Sequence, residues 1–235
     1  MRSGGRKKNY SGDGKSYYTR TQKNKLQKCI KIGGVILFVL IIVLVGLRIF
    51  KPGLFGAGEY TELKDEDITA AKPNIDVQLL DVNPYSRPGT ESDQIKGIVI
   101  HYTANPGATA MQNRDYFEGL KDSHETQASS HFVVGLDGEV VQCVPTWEVA
   151  YASNKRNQDT VSIECCHPDE TGKFNEQTYK SMVQLTAWLC QKFGLTSDDV
   201  IRHYDVTGKN CPKYFVENED AWKQFKADVK KAIDK

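Results

Sequence analysis

Val200-Ile-Arg-His203-Tyr-Asp-Val-Thr-Gly-Lys209-Asn-Cys211-Pro212 places an imidazole, an ammonium and a thiol in one short stretch. The apolar pair Val200 and Ile201 reads as a short buried strand that runs out at His203, and Gly208 allows the chain to turn back, so that Cys211 returns towards that histidine. Two further apolar runs end in the same way. Gly97-Ile-Val-Ile-His101 reads as a central strand closing on a second imidazole, and Val161-Ser-Ile-Glu164 as a strand that offers an acid among apolar neighbours.

Outward from these runs, the pattern predicts strands over 97–102, 131–135, 139–144, 161–165 and 199–203, and helices over 108–120, 175–193 and 218–233. Asp137-Gly138, between Phe132-Val-Val-Gly and Glu139-Val-Val-Gln, is a hairpin signal, because glycine accepts the positive φ of a tight turn. Met182, Leu185, Leu189 and Phe193 recur at helical spacing, and Gly194 is placed to stop that helix. Strands interleaved with helices predict an α/β fold, a mixed central β-sheet flanked by helices. No internal repeat is visible.

Two imidazoles and a thiol are the donor types that zinc prefers, and three protein ligands leave one position open for water, as a catalytic zinc requires. The expected ligands are therefore His101, His203 and Cys211. Alone, each reads as an ordinary packed residue; the argument lies in their combination with Lys209 and Glu164. Cys165-Cys166-His167 is a rival cluster, but adjacent residues of a strand point to opposite faces and do not share one ion. His131 reads as a buried, satisfied imidazole and His124 as solvated in a polar loop. Asp205 reads as a residue that orients a ligand or caps a turn. Thr103 and Asn105 fit a substrate contact and a loop turning through Asn-Pro-Gly equally well.

The near-neutral total of +1 conceals a split. Residues 1–31 hold ten Lys and Arg against Asp13 alone, and residues 52–235 hold nineteen against twenty-nine Asp and Glu, about +9 in front and −10 behind. Residues 1–29 read as a basic, disordered tail. Residues 30–50 carry only Lys31 and Arg48, both near the ends where they can snorkel. Twenty-one residues at about 1.5 Å each span roughly 31 Å, close to a bilayer's hydrocarbon thickness. This stretch is expected to be a single transmembrane helix. A cleaved signal peptide is the competing reading, but the basic leader is too long for one, and Arg48 and Lys51 intervene before the small residues 56–58. Basic residues directly before the apolar run stay on the cytoplasmic side, which places the C-terminal part outside the cell membrane and makes a nucleic-acid role for the tail the weaker reading. Residues 51–76 read as an extracellular spacer and 77–235 as the folded domain, with its compact part from about Ile95.

Gly-Ile-Val-Ile-His101-Tyr-Thr, Ala128-Ser-Ser-His-Phe-Val-Val, Val161-Ser-Ile-Glu164 and His203-Tyr-Asp-Val-Thr-Gly-Lys-Asn-Cys211-Pro, in that order, resemble the zinc-dependent N-acetylmuramoyl-L-alanine amidases, a family that includes bacterial autolysins, phage enzymes and peptidoglycan-recognition proteins. The resemblance implies one zinc ion on His101, His203 and Cys211, with Glu164 and Lys209 in the catalytic positions. It further implies hydrolysis of the amide between N-acetylmuramic acid and L-alanine, with peptidoglycan as partner. A binding module of the same fold without turnover is the alternative. Ser130 stands where many relatives carry a Tyr, so proton handling falls to Glu164. Tyr151 stands where relatives often show a His in the loop lining the substrate groove, which makes it a substrate-binding candidate. Cys29 is placed for palmitoylation. Cys143, Cys165, Cys166 and Cys190 leave one disulfide, two, or none open.

Overall fold

The computed structural model describes residues 69–235. The tail over 1–29, the apolar stretch over 30–50 and most of the spacer over 51–76 lie outside the described residues. Among the described residues, no helix is long and apolar enough to cross a membrane.

The strands are β1 (Ile75–Val77), β2 (Gly97–Tyr102), β3 (Phe132–Val134), β4 (Val140–Gln142), β5 (Thr160–Cys165) and β6 (Val200–Arg202), paired in the order β1-β4-β3-β5-β2-β6. The β3–β4 pair is antiparallel and the other pairs are parallel, so the sheet is mixed. The β3–β4 turn closes with Gly138 at φ 82; a Cβ there would meet Ser181 Oγ at 2.8 Å and the Gln177 carbonyl oxygen at 3.1 Å, so glycine is required twice over. β1 was not expected. Three residues are too few for an alternation to register, and the strand exists because it pairs with β4. It lies ahead of the boundary expected at 77. So does Ala70, which is buried against the core with its N–H donating to Gln191 Oε1 at 2.8 Å.

The helices are α1 (Ala110–Ser123), α2 (Glu176–Lys192), α3 (His203–Thr207), α4 (Lys213–Glu217) and α5 (Glu219–Ile233). Thr109 and Gln112 form a capping box that starts α1, which runs past the expected end at 120 to a left-handed His124 stacked on Tyr85. Asn175 Oδ1 accepts the Thr178 N–H and starts α2 where the sequence places it. The last strand stops one residue short of His203 because Asp205 Oδ2 accepts the Arg202 N–H at 2.8 Å and winds the chain into α3. Asp205 is therefore the turn cap.

Side-chain alternation divides the layers. Ile98, Ile100, Val161, Ile163 and Cys165 face α2 and α5, packing with Met182, Leu185, Leu189, Phe225 and Val229. Val133, Val141, Cys143 and Cys166 belong to the opposite layer with Ala110 and Phe117 of α1. Cys165 and Cys166 thus lie on opposite faces of the sheet, as strand geometry demands. The five described cysteines are free and buried, and no disulfide joins them.

Candidate metal centre and cleft

β2 and β5 are in register with Ile98 opposite Val161, Ile100 opposite Ile163 and His101 opposite Glu164. Since Ile98, Ile100, Val161 and Ile163 face the helices, His101 and Glu164 both turn to the other face, side by side at the ends of their strands. β6 pairs with β2 on its far side, which brings His203 in beside His101; the two rings are 4.6 Å apart between centroids. The loop after α3 then returns. Gly208 takes φ 80 to end the helix, and the Tyr204 N–H donates to the Cys211 carbonyl at 2.9 Å, closing the chain back on itself.

One ligand atom from each of His101, His203 and Cys211 lies within 4.8 Å of the others, and all three residues are buried. Cys211 Sγ is 3.9 Å from His101 Nδ1, and Glu164 Oε1 is also 3.9 Å from that nitrogen. The Glu164 side chain is 18% exposed and its Oε2 has no hydrogen-bond partner. An unanswered buried carboxylate oxygen costs free energy unless a ligand, ion or water completes it. Two imidazoles, a thiol and this open carboxylate are the donor chemistry of a zinc site.

The electrostatics agree with burial. Desolvation pushes the Glu164 carboxyl up to about 8, opposed by the Lys209 charge. Burial lowers His101 well below the ordinary imidazole value, helped by the charges of His203 and Lys209, and burial with the Lys209 charge lowers His203 as well. Both rings are thus held neutral, the form that binds a metal. The Cys211 thiol is pushed up to about 12 by burial and by Glu164, with the Tyr102 N–H and Lys209 working the other way. Without a cation it stays protonated, so binding a metal there must displace a proton.

These residues line a cleft of about 490 Å³, shared with Lys209, Tyr151 and residues of α1 including Asn113 and Tyr116. Tyr151 is tied through its backbone to Ser129, which also lines the cleft, its N–H donating to Ser129 Oγ and its carbonyl accepting the Ser129 N–H. Thr103 lines the cleft as well, with Oγ1 buried and unpartnered. The residues set aside on sequence lie elsewhere. Ser130 is fully buried and donates to the Phe132 carbonyl at 2.9 Å, and His131 is hydrogen-bonded on both ring nitrogens. Ser153 and Asn154, which touch the two candidate ligand histidines, were not anticipated. They sit in a polar loop with no periodicity, and no sequence signal distinguishes them from solvated residues.

A family model described as N-acetylmuramoyl-L-alanine amidase matches residues 91–214. The chain belongs to this amidase family. A probable N-acetylmuramoyl-L-alanine amidase of Bacillus licheniformis is 36% identical over 160 residues, covering 63% of this chain and 45% of the relative. The amidase BlyA of Bacillus subtilis strain 168 is 35% identical over 170 residues, again 63% of this chain and 45% of the relative. The chain therefore spans less than half the length of these curated relatives. Among solved structures, a mutant endolysin from Bacillus subtilis superposes with a TM-score of 0.58 at 27% identity, covering 67% of this chain and 99% of that one. The amidase match contains His101, Glu164, His203, Lys209 and Cys211.

Proposed function

We propose that this chain hydrolyses the amide bond between the lactyl group of N-acetylmuramic acid and L-alanine in peptidoglycan, using zinc held by His101, His203 and Cys211. The observation that carries this reading is the convergence of three ligand atoms within 4.8 Å beside a buried carboxylate oxygen that no protein group answers. Zinc bound there would polarise the amide carbonyl and acidify a water molecule. The charge of a dication at the ligand set would return the Glu164 carboxyl to its ionised form, in which it accepts a proton from that water through Oε2 and passes it to the amine of L-alanine as the C–N bond breaks. The products are a lactyl carboxylate and a free α-amine. Proton transfer of this kind contributes about 10²–10⁴-fold. Lys209, which lines the same cleft, offsets the negative charge developing on the carbonyl oxygen, a contribution of about 3 kcal/mol. Tyr151 contributes to the wall that receives the glycan or peptide.

Digestion of defined muropeptides by the full-length chain, read by mass spectrometry with and without a chelator, tests the reading. New free-amine alanine and intact muramic acid are expected, and both disappear with chelator. A chain that carries zinc and binds peptidoglycan but releases nothing would instead be a binding module.

We also propose that the chain is held in the cell membrane by residues 30–50, with its N-terminus cytoplasmic and residues 77–235 outside. The charge split and the uncharged run over 32–47 support this. Retention in the membrane pellet after alkaline extraction is expected; release to the supernatant would refute the anchor.

A further inference from the structure

Each candidate ligand histidine has one ring nitrogen engaged by the segment after Tyr151. Ser153 Oγ lies 3.2 Å from His101 Nε2, and Asn154 Oδ1 lies 2.9 Å from His203 Nε2. A side-chain amide oxygen only accepts, so the nitrogen of His203 facing it carries the hydrogen, and the ring's lone pair is at Nδ1. On His101, Ser153 Oγ is able to accept the Nε2–H, which leaves the lone pair at Nδ1, the nitrogen that faces Cys211 Sγ at 3.9 Å. A neutral imidazole has one N–H and one lone pair, and the hydrogen bond made by one nitrogen decides which of the two remains for a metal.

The loop that presents these two oxygens is itself held from several directions. Asn157 Oδ1 accepts the N–H groups of Ala152 and Ser153, at 3.1 and 2.5 Å. The Arg156 N–H donates to the Ser153 carbonyl at 3.0 Å, and the Asn157 N–H to the Asn154 carbonyl at 3.1 Å. Arg156 is paired with Asp159 at 2.6 Å. Ser153 is 1% exposed, and Asn154 takes φ 51, a left-handed conformation that asparagine adopts more readily than most non-glycine residues. α3, which carries His203, packs against this loop.

We propose that the segment Ser153–Asn157 is the positioning element of the metal centre. Asn154, seconded by Ser153, sets the tautomer and rotation of His203 and His101 so that both Nδ1 lone pairs meet Cys211 Sγ at one point. Asn154 and Ser153 are positioning residues: they act on the reaction through the histidines. The proposal rests on reading His101, His203 and Cys211 as the ligand set.

The test measures zinc affinity of the full-length chain by competition with a chromogenic chelator, together with the visible absorption of the cobalt-substituted protein. Asn154→Gly keeps the left-handed backbone without strain and removes only the amide. It is expected to weaken zinc binding by about 10–100-fold and to shift the cobalt bands. Asn154→Asp, which retains the accepting oxygen, is expected to recover most of the affinity, and Ser153→Ala to lose less than Asn154→Gly. Melting temperatures in excess chelator separate positioning from folding. They are expected to stay close to wild type, while the rise on adding zinc shrinks in Asn154→Gly. Wild-type affinity and spectrum in Asn154→Gly, or an Asn154→Asp as weak as the glycine variant, would overturn the proposal and leave the metal centre standing. Failure of the wild-type chain to bind zinc, or binding undiminished in Cys211→Ser, would bring down the metal centre and this proposal together.

Discussion

His101 and His131 are equally buried, each 1% exposed, and stand close to the same sheet, yet the chain treats their rings differently. His131 is answered at both nitrogens: the Ser162 N–H donates to Nδ1 at 3.0 Å, and Nε2–H donates to the Glu148 carbonyl at 2.9 Å. His101 is answered by Ser153 on one side only, and its other nitrogen faces a sulfur and a carboxylate oxygen, each 3.9 Å away. Burial does not separate these two histidines; what their ring nitrogens face does. An imidazole with two close partners has no lone pair left to give, whereas one that looks across a gap at a thiol leaves room for an ion.

That contrast can be broken most directly at the ligand set. Cys211→Ser is expected to lose stoichiometric zinc, measured by metal analysis after gel filtration, and nearly all amidase activity, whereas His131→Gln keeps its zinc. Glu164→Gln is expected to retain zinc but to lower kcat by about 10²–10⁴-fold on muropeptides; full activity would remove Glu164 from the mechanism. Lys209→Ala should lower kcat by about 10²-fold, the equivalent of about 3 kcal/mol, with metal content unchanged.

The His131 side of the comparison predicts stability rather than activity. Burial lowers its pKa to about 4, against an unfolded value near 6.5. The folded state therefore binds fewer protons than the unfolded one. The stabilisation is complete above about pH 6.5 and is lost as pH falls towards 4. Between pH 7 and pH 5 the loss from this residue is about 2 kcal/mol, and it is read as the part of the urea-unfolding pH dependence that vanishes in His131→Gln. The smallest expected effect sharpens the contrast most. Ser162→Ala, which removes the Oγ that accepts the His131 N–H at 3.2 Å, should cost about 1 kcal/mol in urea unfolding and leave zinc affinity alone, whereas Ser153→Ala should change zinc affinity and leave apo stability nearly alone.

Much of the fold was legible because its signals are local. The hairpin at Asp137-Gly138, the Asn175 start of α2 and the apolar runs in Gly97–Tyr102 and Thr160–Cys165 are each carried by a few consecutive residues. β1 and α4 were not legible. A three-residue strand and a five-residue helix hold too few positions for a period, and both exist through what they pack against. The contact of Ala70 with Gln191, far along the chain, left no local trace for the same reason.

The order and chemical type of His101, Glu164, His203, Lys209 and Cys211 were already present in the chain as written, because donor identity and strand-end placement are properties of short segments. Which ring nitrogen each histidine exposes, and which serine or asparagine answers the other, came only from the folded structure. Those hydrogen bonds join residues about fifty positions apart, and no local pattern encodes a partner that packing alone brings within 3 Å or so.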